Sequence, residues 1–342
     1  MDLLIDAFVG LDVREAAANA KALEAAGYDG ILAPEQGHDP FMHMLQVTLA
    51  TERVTTGISV AIAFARSPMT LASSAYDLAG YSEGRFLLGL GSQIKPHIER
   101  RFSMPWSHPA ARMREFVLAC QAIWSAWHDG TKLAFEGEFY KHTLMTPFFS
   151  PKPHQWGPPP VYVAGVGPLM TEVAGEVADG FFFHPLTTQR YLAEVTLPTL
   201  RAGREKAGKA KGDNGLEGFG FAGPAFVTVG RNDEELETAI KGTKRQLAFY
   251  CSTPAYRPVL DIHGWGEIQP ELTRMSKENR WDEMADLITD EMLHAFSPVG
   301  SPSDVAKELK ERWAGIATRI SLYANYESDP EIWPEVVAGL RS

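Results

Sequence analysis

Four groups of residues in this chain carry side chains whose type and spacing could do chemistry. His38 lies in the stretch Glu35-Gln36-Gly37-His38-Asp39-Pro40. An imidazole titrates near working pH, so it can deliver or accept a proton while a neighbouring carbon reacts. Glu35 is near enough in sequence to orient that ring or to contact a ligand itself. A loop histidine bonded to a backbone carbonyl would fit the same letters. Gly165-Val166-Gly167-Pro168 follows an apolar run and opens a helical one. Glycines let the backbone approach a ligand, and free N–H groups at a helix start favour an anion. An ordinary strand-to-helix turn has the same composition. His97, Arg100 and Arg101 form a polar cluster suited either to an anionic substrate group or to a solvated helix face. His184 ends the run Phe181-Phe182-Phe183 and is a candidate for lining a substrate pocket.

Other chemistries find no pattern to carry them. There is no HExxH and no CxxC, and Cys120 and Cys251 lie far apart. Zinc-protease and metal-clip sites are therefore not expected.

These residues need a frame that brings strand ends together. Val54 to Phe64 and Arg85 to Gly91 are apolar almost without interruption, which belongs to parallel strands covered by helices on both faces. Between them Pro68 onward reads as a helix, completing a βαβ unit. Runs starting at Leu3, Tyr28, Val54, Arg85, Val161, Phe181, Gly218 and Arg319 give eight strands separated by helical patterns, the number of a β/α barrel. In such a barrel the chemistry sits where strands end, here at Ala65-Arg66-Ser67-Pro68 and Gly91-Ser92-Gln93.

The helices are marked by their own signals. His108 to His128 carries Met113, Phe116, Val117, Cys120, Ile123, Trp124 and Trp127 on a broad apolar face, which places both tryptophans in the core. Asn232 with Glu235 forms a capping box for a helix to Tyr250. Thr131 to His142 reads as a surface hairpin, and Pro151 to Pro160 as a linker inside the barrel. Residues 251–300 break the rhythm with Pro, Trp and short helical pieces, and are expected to be a helical insertion over the barrel mouth. One domain over 1–342 is expected.

Composition narrows the partners. Of 342 residues 45% are hydrophobic, and 32 Lys+Arg against 43 Asp+Glu leave a net charge of −11 with no basic block. Nucleic acid and anionic membranes are not expected partners. Asp2 and Asp6 interrupt the first apolar run, so no signal peptide is expected, and no run approaches the roughly 18 apolar residues of a spanning helix. A cytoplasmic enzyme fits.

The wording of several stretches resembles the bacterial luciferase-like flavin enzymes and, within them, the coenzyme F420-dependent (deazaflavin) oxidoreductases. GYDGILAPEQGHDPF, GISVAIAFARSPMTLA, SEGRFLLGLGSQIKPHIERRF, PPVYVAGVGP and STPAYRPVLDIHGW carry the likeness, which runs from Leu3 to Tyr323. The resemblance implies a (β/α)8 TIM barrel with inserted helical segments, a homodimer, and F420 as cofactor, with FMN the alternative. It implies a bulge and a cis non-prolyl peptide near Ser59-Val60-Ala61 under the cofactor ring. Ser92 would hydrogen-bond the ring edge or ribityl chain, and the Gly165-Val166-Gly167 loop would hold the phosphate. His38 would be the catalytic histidine, supported by Glu35. Relatives that oxidise a sugar phosphate carry an acidic residue just after this strand, whereas Gln93 and Ile94 stand here, so that reaction is not expected. His97, Arg100 and His184 are left as substrate-binding candidates.

The leading expectation is thus hydride transfer between the deazaflavin C5 and a small organic substrate. A reduced-FMN monooxygenase and a non-catalytic flavin-binding protein are the alternatives, the latter disfavoured by the polar residues kept at several strand ends.

Overall fold

Apolar runs without alternation become barrel strands in this protein because both of their faces are covered. The computed structural model describes residues 3–342. Its strands are β1 (Leu4–Phe8), β2 (Gly30–Ala33), β3 (Thr55–Ile62), β4 (Phe86–Gly91), β5 (Val161–Gly165), β6 (Gly180–Phe183), β7 (Gly220–Phe226) and β8 (Arg319–Tyr323), and they close a parallel barrel in chain order. Each expected strand is present, with its start shifted by two residues at most. The third ends at Ile62 instead of Phe64. There the chain tightens into a 3₁₀ turn, Ala63–Ala65, to deliver Ser67 and Pro68 to the next helix.

The helices are α1 (Ala16–Ala25), α2 (Pro40–Ala50), α3 (Pro68–Tyr81), α4 (Pro109–His128), α5 (Pro168–Val177), α6 (Leu197–Lys206), α7 (Asp233–Cys251), α8 (Arg257–Asp261), α9 (Ile268–Lys277), α10 (Trp281–Ala285), α11 (Asp290–Phe296), α12 (Pro302–Trp313) and α13 (Ile332–Arg341). Proline at the first position and a polar N-cap start several of them. Asp39 accepts the Phe41 N–H at 2.8 Å at the head of α2, and Ser67 accepts the Thr70 N–H at 3.2 Å at the head of α3. The expected capping box also forms, in a shifted version. Asn232 accepts the Glu235 N–H, while the Glu235 carboxylate reaches back to the N–H of Arg231 at 2.8 Å.

Two compact units are distinguishable along the chain. The first, Asp6–Phe182 with Thr199–Gly220, holds β2 to β5 and α1 to α5. Its core includes Phe86, Leu88 and Leu90 of β4, each at most 1% exposed. Burying such a side chain contributes about 1.5–3 kcal/mol. The apolar face of α4 is buried as expected, and the Trp124 indole N–H donates to the Ala72 carbonyl at 3.0 Å. Phe135–Glu136 pairs antiparallel with Lys141–His142, and the Glu115 carboxylate pins this hairpin to α4 through the N–H groups of Glu138 and Phe139.

The second unit comprises residues to Ile5, Phe183–Pro198 and Phe221–Ser342. Segment 251–300 is helical as expected. Its Leu260, Leu272, Met284 and Phe296 form one buried cluster with Leu247 and Cys251 of α7. Before α6 the chain passes through a π turn, Leu192–Thr196, instead of one regular helix.

Candidate functional site

The loop after β2 is held at both ends, and His38 is left open between the anchors. Arg66, just beyond β3, sends its guanidinium to Glu35 at 2.6 Å and to Asp39 at 2.9 Å. The Glu35 carboxylate also accepts the Ile62 N–H at 2.7 Å. Burial works against the Arg66 charge, but the bonds and charge of Glu35 and Asp39 outweigh it and hold the proton more firmly than usual. Arg101 adds a second clamp by donating to the Gln36 carbonyl at 2.7 Å. Glu35 is thus committed to Arg66 and the backbone and does not touch His38. It positions the loop instead of orienting the imidazole.

His38 itself is exposed, and its ring meets His43 edge-on at 5.9 Å. Among the described residues it takes no hydrogen bond, so it is not a loop histidine tied to a carbonyl. His43 is 3% exposed, and neither ring nitrogen meets a partner in hydrogen-bond geometry. Burial, with the neighbouring His38, lowers its pKa against the opposing pull of the Leu11 backbone.

The end of β3 has the irregularity expected there. The Ser59–Val60 peptide bond is cis, and the pairing of β3 with β4 jumps between Ile58 and Ala61. Ser59 and Val60 are half-open, whereas Ala61 is fully buried. The glycines of β4 make this geometry possible. A Cβ on Gly89 would fall against the Ile58 carbonyl oxygen, and one on Gly91 would lie 2.6 Å from a Val60 methyl. The FLLGLG run therefore uses its glycines to let the neighbouring strand bulge toward it.

Ser92 follows β4, and its hydroxyl donates to the Gln93 carbonyl at 3.1 Å, leaving its oxygen able to accept. His97 to Arg101 form a single π-helical turn. His97 and Arg100 are exposed on it, and the structure brings only their neighbour Arg101 to the His38 loop.

Gly165 ends β5 and Gly167 occupies the N-cap of α5. No side chain caps this helix, and nothing lies within 4 Å of where a Gly167 Cβ would stand. An uncapped N-terminus approached through open space suits an anionic group. Gly167 also borders a cavity of about 670 Å³ between the starts of α4 and α5, walled by Pro109, Ala111 and Leu169. Its charged edge is satisfied internally, since Glu176 pairs with Arg114 at 2.6 Å and with Lys206 at 3.3 Å. We place the chemistry at the strand ends and not in this cavity, whose walls are helix side chains.

In the second unit, His184 directly follows β6. Its Nδ1 accepts the Leu186 N–H at 3.1 Å, and its ring lies 4.5 Å from that of Tyr256 and 4.7 Å from that of Tyr250. Burial pushes its pKa down to about 4. The Tyr250 and Tyr323 hydroxyls are bonded at 2.6 Å, and Asn325 donates to Tyr323. His263 stacks on Trp265 and meets the Thr188 hydroxyl at 2.8 Å.

Arg66, Tyr250, Tyr256 and Tyr323 were not among the sequence candidates. Arg66 had a signal, its place in Ala-Arg-Ser-Pro at a strand end. The tyrosines lie on a helix, a short turn and the last strand, with no spacing to link them. Among the described residues no group of three His, Cys, Asp or Glu could hold a metal ion, and no helix is long and apolar enough to cross a membrane.

Comparison with known proteins agrees with this fold. The profile of the luciferase-like monooxygenase family matches residues 7–319. An uncharacterized Mycobacterium tuberculosis protein is 49% identical over 93% of this chain and 92% of its own. The 5,10-methylenetetrahydromethanopterin reductase of Archaeoglobus fulgidus is 27% identical over 85% of this chain and 83% of its own. Among solved structures, the coenzyme F420-dependent tetrahydromethanopterin reductase of Methanopyrus kandleri superposes with a TM-score of 0.76 at 19% identity, covering 99% of this chain and 97% of that one.

Proposed function

The chain belongs to the luciferase-like monooxygenase family, and from that premise we propose that it is an F420-dependent oxidoreductase moving a hydride to or from a small organic substrate. The observation that carries this reading is His38, an unbonded imidazole on a loop that two arginines hold in place. The F420 dependence of the Methanopyrus relative supports the choice of cofactor.

The residues present fit such a cofactor. The open, uncapped start of α5 at Gly167 would hold its phosphate, the half-open Ser59–Val60 backbone would support its ring, and the Ser92 oxygen is free to accept from its edge. Bound there, a deazaflavin would supply the hydride-carrying carbon. The chain's own part is to fix that group and to manage the proton. His38 would give a proton to the substrate oxygen when carbon gains hydride, and take it back in the reverse direction. Glu35, through Arg66, keeps the His38 loop from moving while this happens.

Anaerobic mixing of the protein with chemically reduced F420 and a panel of aldehydes and ketones tests the proposal. Oxidised coenzyme and alcohol should appear in equal amounts without oxygen. Turnover that requires oxygen and reduced FMN would contradict it.

A further inference from the structure

His184 is a histidine whose tautomer is set by the backbone. The Leu186 N–H points at Nδ1, so that nitrogen must present its lone pair and the ring proton must sit on Nε2. Protonating Nδ1 would turn two N–H groups toward each other. Burial opposes the cation as well, and no charged side chain contributes to the shift of this group. The groups that face it are phenols: Tyr250 from α7, itself beside Gln246, and Tyr256 from the turn before α8, with Tyr323 of β8 bonded to Tyr250.

Nε2 is the end of the ring that remains unassigned. It has no partner among the described residues, and it is not one of the fully sealed polar atoms, His184 being only partly buried. The Tyr256 hydroxyl is in the same condition, while those of Tyr250 and Tyr323 are taken up by each other and by Asn325. His184 and Tyr256 thus offer a fixed imidazole N–H and one phenol hydroxyl beside aromatic rings, and among the described residues no charged side chain acts on His184.

We infer that His184 Nε2–H is a permanent, uncharged hydrogen-bond donor to the oxygen of a neutral carbonyl or alcohol substrate with an apolar flank, seated beside Tyr256. The inference rests on the proposed carbonyl–alcohol chemistry and adds the charge class of the substrate. A carboxylate or phosphate would lose its hydration here without finding a positive partner. A ketone oxygen needs only the donor.

The test uses acetophenone as a neutral probe and benzoate as its anionic counterpart, titrated calorimetrically into the protein without coenzyme. Acetophenone should bind more tightly than benzoate. His184→Phe, which keeps a ring and removes the donor, should weaken acetophenone by about tenfold, the worth of one hydrogen bond whose partner is left unmade. His184→Gln can accept from Leu186 and still donate, so it should stay within about threefold of the parent. Nitrogen-15 spectra should show the His184 ring in the Nε2–H form from about pH 5 to 8. Equal acetophenone binding by His184→Phe, a preference for benzoate, or a ring that titrates in that range would overturn the inference. F420 binding measured on the same variants should be unchanged. Since the probe is titrated without coenzyme, failure here and failure of the cofactor assignment are separate results.

Discussion

The Glu35 carboxylate receives the Arg66 guanidinium at 2.6 Å, with the side chains only 7% and 16% exposed, and so ties the loop after β2 to the end of β3. Removing one member of a largely buried pair leaves the other charged and unmatched. Arg66→Ala should therefore lower unfolding free energy by about 3 kcal/mol, read by urea denaturation. A loss below about 1 kcal/mol would mean the pair behaves like a surface ion pair. The same substitution should lower turnover, since His38 then loses one of the loop's two anchors.

His38→Ala separates chemistry from binding. The imidazole is exposed and supports no other described residue through a hydrogen bond, so the fold should not notice its loss. Turnover should fall by about 10²–10⁴-fold, the range of a lost general acid or base, with F420 affinity unchanged. Undiminished turnover would remove His38 from the mechanism.

Gly91 and Gly167 make a contrasting pair. An added Cβ at Gly91 meets the Val60 side chain at 2.6 Å, whereas at Gly167 it meets nothing within 4 Å. Gly91→Ala should destabilise the fold by about 1–3 kcal/mol, as overpacking does. Gly167→Ala should leave the melting temperature alone and weaken the phosphate-bearing cofactor. A Gly167→Ala protein that binds cofactor as well as the parent would show that the phosphate sits elsewhere.

Acid should destabilise the protein through its buried histidines. His184 falls from an ordinary value near 6.5 to about 4 in the folded chain, and His43 is lowered as well. A histidine with a depressed folded pKa contributes stability above its unfolded value and loses it as pH drops. Unfolding free energy should thus decline between pH 6.5 and 4, by up to about 3 kcal/mol for His184. His184→Gln should flatten that part of the pH profile. An unchanged slope would contradict a neutral, buried His184.

The strands were legible in the sequence because apolar runs covered on two faces leave an unmistakable pattern. Helix starts were also plain, at Pro68 and at Asn232. The Ser59–Val60 region was found through family likeness, not through composition, since a bulged strand and a regular one have the same apolar letters. What the letters hid was spacing across the barrel. Gly89 and Gly91 look like strand terminators and are in fact clearance for β3. Glu35 and Arg66 are 31 residues apart, so nothing local pairs them, and Glu35 was assigned to the nearer His38. The proton on His184 depends on a backbone N–H, which no side-chain pattern reports.

Equilibrium binding of F420 and of FMN to the same protein preparation, side by side, tests the central claim most directly. Tight F420 binding with weak FMN binding, and loss of the former in Gly167→Ala, is the predicted result. Tight FMN binding with little affinity for F420 would contradict the account and move the protein to the oxygen-using branch of its family.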